Sequence, residues 1–135
     1  MRATQVSGVL LVLALIPFAG GGHCQHAGGG SGSEQFIGTW AGTGTQTGGI
    51  TWPMNVSLQS TQPGSQCATI EYPSIPCVGY WLCDSYDGVT LRGREFITSG
   101  RCVPGTVAVA VTPNGELDVS GTGQGVESRA ILSRR

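Results

Sequence analysis

An all-β domain, in the form of an eight-stranded antiparallel up-and-down meander barrel, is the fold this sequence predicts. Three observations carry the prediction. Apolar residues recur at period two in short runs, most clearly at Ile50, Trp52, Met54, Val56 and Leu58, which alternate with Thr51, Pro53, Asn55, Ser57 and Gln59. Turn signals separate the runs, Asp87-Gly88 and Asn114-Gly115 being the strongest, because these residues accept the backbone angles of a tight hairpin. The chain also holds 23 glycines in 135 residues and almost no helix-period pattern. Eight strands joined by short turns are enough to close a barrel around side chains or one small ligand, and closure removes exposed edges. A two-sheet β-sandwich of the same strands has the same periodicity and is the alternative.

The first 22 residues read as an export signal: Arg2 is followed by the apolar run Val9 to Ala19 and then by small residues up to Gly22. The run is too short to span a bilayer. Residues 23–33 form a Gly/Ser-rich tether, and residues 34–135 form the domain. Cys24, just after the apolar run, is placed as in a bacterial lipoprotein, a resemblance that implies lipidation of this cysteine and a lipid-anchored domain. The sequence departs from that family at His23, where a small residue is expected, so ordinary cleavage near Gly21 or Gly22 is the second reading. His23, Cys24 and His26 lie in a glycine-rich stretch and are read as solvated, with no metal. The expected location is extracellular or in the cell envelope, with membrane contact only through a lipid on Cys24.

Within the domain, the first strand is expected over Phe36 to Gly42, with Phe36, Gly38 and Trp40 on one face. The second is the Ile50 run, in which Pro53 lacks a donor and marks an edge, a bulge or a strand start. Cys67 to Tyr72 and Val78 to Cys83 form a hairpin about the turn Pro73-Ser74-Ile75-Pro76. Centring that turn on Ile75 sets Cys67 opposite Cys83, Thr69 opposite Trp81 and Ile70 opposite Tyr80. Directly paired residues stand about 4.5–5.5 Å apart at Cα, within disulfide range, so Cys67–Cys83 is the preferred bridge and Cys77–Cys102 the remaining one. Four cysteines permit three connectivities, and the other two stay open. Val89 to Ile97 follows, with Leu91, Gly93, Glu95 and Ile97 on the apolar face. Val107, Val109 and Val111, then Leu117 and Val119, then Ala130 and Leu132 supply the inward sets of the last three strands.

A net charge of −1 and only 11% charged residues argue against a nucleic-acid partner, which would require a basic patch. Beyond the tether the chain has neither histidine nor lysine, and its carboxylates fall mostly at turns and strand ends. No enzyme and no cofactor are therefore expected. Glu95 is the outstanding residue: on an apolar face it must be satisfied by Arg101 or a tyrosine hydroxyl, or else contact a ligand, unless a bulge near Gly93 turns it outward. Trp40, Trp52, Tyr72 and Tyr80 are expected to face inward as core or as the lining of a ligand site, with Met54 beside them. Trp81, expected outward beside Cys83, is the candidate for an interface.

The opening Gly38-Thr39-Trp40, followed by eight short meander strands, resembles the calycin group, the lipocalin and avidin-like barrels. Tyr72 to Leu82 (YPSIPCVGYWL) with Arg94 to Cys102 (REFITSGRC) is similar to a small bacterial exported domain of unassigned function that also occurs joined to membrane-bound serine/threonine kinases. These resemblances imply a calycin-like barrel and transfer no catalytic residues. The function expected is a cell-surface binding module for a small or hydrophobic ligand, with Trp40, Trp52, Tyr72, Tyr80 and Glu95 as ligand-binding residues. The alternative is a structural or protein-interaction module with a filled core, whose partner is an envelope protein.

Overall fold

A computed structural model describes residues 32–135; the expected signal peptide and the lipidation site Cys24 lie outside them. Eight strands follow a short 3-10 helix, Gly32–Phe36: β1 Gly38–Gln46, β2 Thr51–Leu58, β3 Gln66–Tyr72, β4 Cys77–Tyr86, β5 Thr90–Ser99, β6 Thr106–Val111, β7 Leu117–Gly123 and β8 Val126–Arg134. Each pairs antiparallel with the next, and β8 returns to β1, so the sheet is a closed up-and-down barrel. The barrel, not the sandwich, is the fold, and closure leaves no strand without two neighbours.

Alternation builds the core. Trp40, Val56, Leu58, Ile70, Leu91, Val109, Leu117 and Leu132 point into the barrel and are buried. Full burial of an aliphatic side chain of this size contributes about 1.5–3 kcal/mol, so the inward set supplies the main driving force for closure. The turns obey their local chemistry. Asp87 Oδ1 accepts the backbone N–H groups of Val89 and Thr90, at 2.9 and 2.7 Å, and so holds the β4–β5 turn.

Both disulfides form as the hairpin reading preferred, Cys67–Cys83 and Cys77–Cys102, with Cα separations of 5.8 and 6.2 Å. The register behind that reading is different. Tyr72 pairs with Cys77 and Thr69 with Tyr80, so the turn is centred between Ser74 and Ile75, one half-step from the expected position. Side chains alternate, so that shift reverses two faces: Trp81 points inward and is fully buried, while Tyr80 points out and stacks on Phe96 with centroids 5.2 Å apart. The expected inward Tyr80 and outward Trp81 are thus exchanged. Cys67 still reaches Cys83 because the β3–β4 register shifts between Gln66 and Ala68, leaving Cys67 and Ala68 both buried.

The N-terminal edge also differs. Phe36 belongs to the 3-10 helix, and β1 runs on to Gln46, past Gly42 where the strand was expected to end. The helix lies across one end of the barrel. Phe36 packs edge-on against Tyr86 at 5.5 Å, and its carbonyl accepts the indole N–H of Trp40 at 2.9 Å. Arg134 of β8 donates to the carbonyls of Ile37 and Gln35, both at 2.7 Å, and lies over the Trp40 ring at 4.2 Å. Gly38 is required here: its φ is +143°, and a Cβ would meet the Arg134 guanidinium.

Candidate functional site

The opposite end is open. A cavity of about 420 Å³ enters the barrel between the turns that join β1 to β2, β3 to β4, β5 to β6 and β7 to β8. Trp52, Met54, Tyr72, Val107 and Val119 give its walls an apolar character, and Glu95 and Arg129 are its charged lining residues. Around the mouth Ile50, Ile75, Val103 and Val126 are exposed, between 37% and 58%, although all four are aliphatic. An apolar rim of this kind is the surface feature that accompanies binding grooves.

The positions of the site residues follow from strand geometry. Trp52 is paired with Gly44 across β1–β2, and its indole lies over that glycine, where a Cβ would come within 2.8 Å of the ring. A larger residue at 44 would push the indole into the cavity. Trp52 also meets Tyr72 edge-to-face at 6.5 Å. Its Nε1 is buried and has no hydrogen-bond partner among the described residues, an unusual state for a buried donor. The Cys77–Cys102 bridge ties the β3–β4 turn to the β5–β6 loop, and Cys102 itself lines the cavity.

Glu95 stays on the inward face because the irregularity in this part of the sheet falls on β4, between Cys83 and Ser85, and not at Gly93. It is partly buried. One carboxylate oxygen, Oε2, accepts the Tyr72 hydroxyl at 2.7 Å and the Trp81 indole N–H at 3.2 Å. Of the two partners expected for it, the tyrosine hydroxyl is hydrogen-bonded to Glu95 and Arg101 is not. Burial pushes the Glu95 carboxyl above the usual range, while the hydrogen bonds from Tyr72 and Trp81 pull the other way. The Tyr72 phenol is raised far above its ordinary value, first by burial, then by the adjacent Glu95 charge and the hydrogen bond to it.

Of the expected ligand-site residues, Trp52, Tyr72 and Glu95 come together at the cavity. Trp40 does not: it lies in the core at the plugged end, under Arg134. Tyr80 is on the outer surface. Trp81 is the functional-site neighbour the sequence reading placed elsewhere, and one signal could have found it: Trp81 and Cys83 are two residues apart on one strand, so a bridge buried in the core carries Trp81 inward with it.

No family model matches the chain, and no curated protein or solved structure does either. The closed eight-stranded barrel is compatible with a calycin-like architecture. The two disulfides fit an oxidising, extracellular environment. Among the described residues no helix is long and apolar enough to cross a membrane, and no group of three His, Cys, Asp or Glu residues is placed to hold a metal ion.

Proposed function

We propose that this protein is an exported binding module of the cell envelope that holds a small hydrophobic ligand in the open end of its barrel. The observation that carries the reading is the cavity of about 420 Å³, within the size range of small-molecule sites and lined by apolar and aromatic side chains together with polar ones such as Gln46, Thr106, Gln124 and Ser128. On this reading residues 1–22 direct export, a lipid on Cys24 fixes the domain to the membrane, and the protein binds without catalysing. Kinship with the calycin barrels and with the kinase-linked exported domain belongs to the same proposal.

A second reading, a protein-interaction module, is favoured by the outer face of β4 and β5. Val78 and Phe96 are exposed there beside the half-buried Tyr80, with Arg94 placed 5.8 Å from the Phe96 ring centroid. Native mass spectrometry of the protein purified gently from its own host separates the two. A noncovalent apolar species, a diacylglyceryl mass on Cys24 and a polypeptide four hydrogens lighter than its reduced form are expected. A polypeptide beginning near Gly22 with nothing bound, and no uptake of an apolar fluorophore, would leave the interaction module as the surviving account.

A further inference from the structure

We infer that the ligand carries a cationic head, an ammonium or comparable amine, which ion-pairs with Glu95 while its apolar body occupies the cavity. This rests on the reading of the barrel as a binder of small hydrophobic molecules and names the chemical class that its interior selects.

Three features of the site lead there. First, both hydrogen bonds to Glu95 end on Oε2, so Oε1 has no protein donor among the described residues. Second, among the described residues no protein cation is paired with Glu95. The chain has seven arginines and no lysine. Arg129, the one other charged lining residue, is ion-paired with Asp118 at 2.8 Å. Arg94 is ion-paired with Asp84 on the outer surface at 2.9 Å, and Arg134 is committed to Trp40 and the helix carbonyls at the far end. A partly buried carboxylate without a counter-ion is costly, and a cationic guest is what relieves that cost. Third, the rings of Trp52 and Tyr72 stand on the same cavity wall, and aromatic faces attract ammonium groups that have been desolvated.

The arrangement discriminates by head group. A carboxylate guest would set a like charge against Glu95. An alcohol can donate one neutral hydrogen bond to Oε1. An ammonium donates its hydrogen bond and also brings the opposite charge to the carboxylate, which the alcohol lacks.

Decylammonium, decanol and decanoate share one chain and differ only at the head. Titrated calorimetrically into the oxidised protein at pH 7, decylammonium should bind at least about tenfold tighter than decanol, and decanoate more weakly than either. In Glu95→Gln the preference for decylammonium over decanol should shrink to within about twofold. Should that variant fail to fold, the wild-type protein supplies the same test through pH. The groups around Glu95 are the Tyr72 phenol, which stays protonated because its pKa is pushed up, the non-titrating Trp81 indole and Cys77–Cys102 bridge, and Arg129 in its ion pair. Decylammonium affinity should therefore fall as Glu95 is protonated in acid, and by a larger factor than decanol affinity does. Equal binding of all three probes, or tighter binding of decanol or decanoate, overturns the cationic head and leaves the hydrophobic binder standing. Binding of none of them overturns both.

Discussion

At the end of the barrel where the described chain enters, Trp40 donates to a helix carbonyl, stacks beneath a guanidinium and has no solvent exposure. At the other end Trp52 also faces the interior, yet its indole N–H has no partner among the described residues and its ring borders the cavity. The same eight strands make both ends. What differs is the closing device: a 3-10 helix fastened by Arg134 at one, and four short turns carrying Ile50, Ile75, Val103 and Val126 at the other. Each end has its own disulfide. Cys67–Cys83 lies towards the plugged end and Cys77–Cys102 at the mouth, so the open end is held in shape by a covalent tie where the plugged end also has a packed core. The packed core and the cavity thereby lie at opposite ends of one axis.

The contrast is most easily broken by tryptophan truncation. Trp40→Ala should cost about 3–5 kcal/mol in urea unfolding, whereas Trp52→Ala, which empties a site already bordered by a cavity, should cost less than half of that. Equal losses would show that the mouth bears as much of the fold as the plug does. The next effect comes from the bridges. Replacing Cys77 and Cys102 by serine should lower stability by about 3 kcal/mol, as should replacing Cys67 and Cys83. Hydrogen exchange separates the two variants: loss of Cys77–Cys102 should speed exchange in residues 73–76 and 100–105 without touching the 3-10 helix. Faster exchange in the helix as well would mean that the two ends are coupled.

The smallest effect sharpens the comparison through pH. The Glu95 carboxyl is raised, so the native state holds its proton more tightly than the unfolded chain does. Its contribution is fully present below the ordinary value of 4.5 and is lost as pH rises through the raised one. Glu95→Gln is neutral throughout and escapes that loss. The variant should be more stable than wild type at pH 8, by at most about 1 kcal/mol, and equal to it at pH 4. Destabilisation at pH 8 would make Glu95 a structural residue of the mouth.

Periodicity and turn chemistry made most of this fold legible, because strand count and inward sets depend on local alternation that Ile50 to Leu58 and Val107 to Val111 display directly, whereas barrel and sandwich share that alternation and only the β1–β8 pairing decides between them. The two bridges were legible too, although through a register that was off by half a step. The exchange of Tyr80 and Trp81 shows why: when the side-chain period is two, the centre of one turn decides every face beyond it. Depth along the barrel was not legible. Meander order sets Trp40 and Trp52 at opposite ends, but nothing in the alternation says which end is plugged, so the plug and the cavity lining could not be told apart. The role of Arg134 was hidden for a related reason, since it depends on which strand closes the sheet. Glu95 stood out because a carboxylate on an apolar face is conspicuous in any register, but its partners come from β3 and β4, and only three-dimensional pairing brings them to it.

The seam between β1 and β8 has a consequence for how the barrel is made. Arg134 and Ile37, which meet there, are 97 residues apart in sequence. Every other neighbouring pair of strands is joined by a short turn and can zip locally, but the seam must wait for the whole chain. A sheet of the seven earlier strands alone would have two bare edges, β1 and β7, of the kind prone to pairing with other chains. When β8 arrives, Arg134 covers Trp40 and binds the helix carbonyls, so the residue that latches the plug is also among the last of the barrel to emerge. The domain cannot be plugged before it is complete.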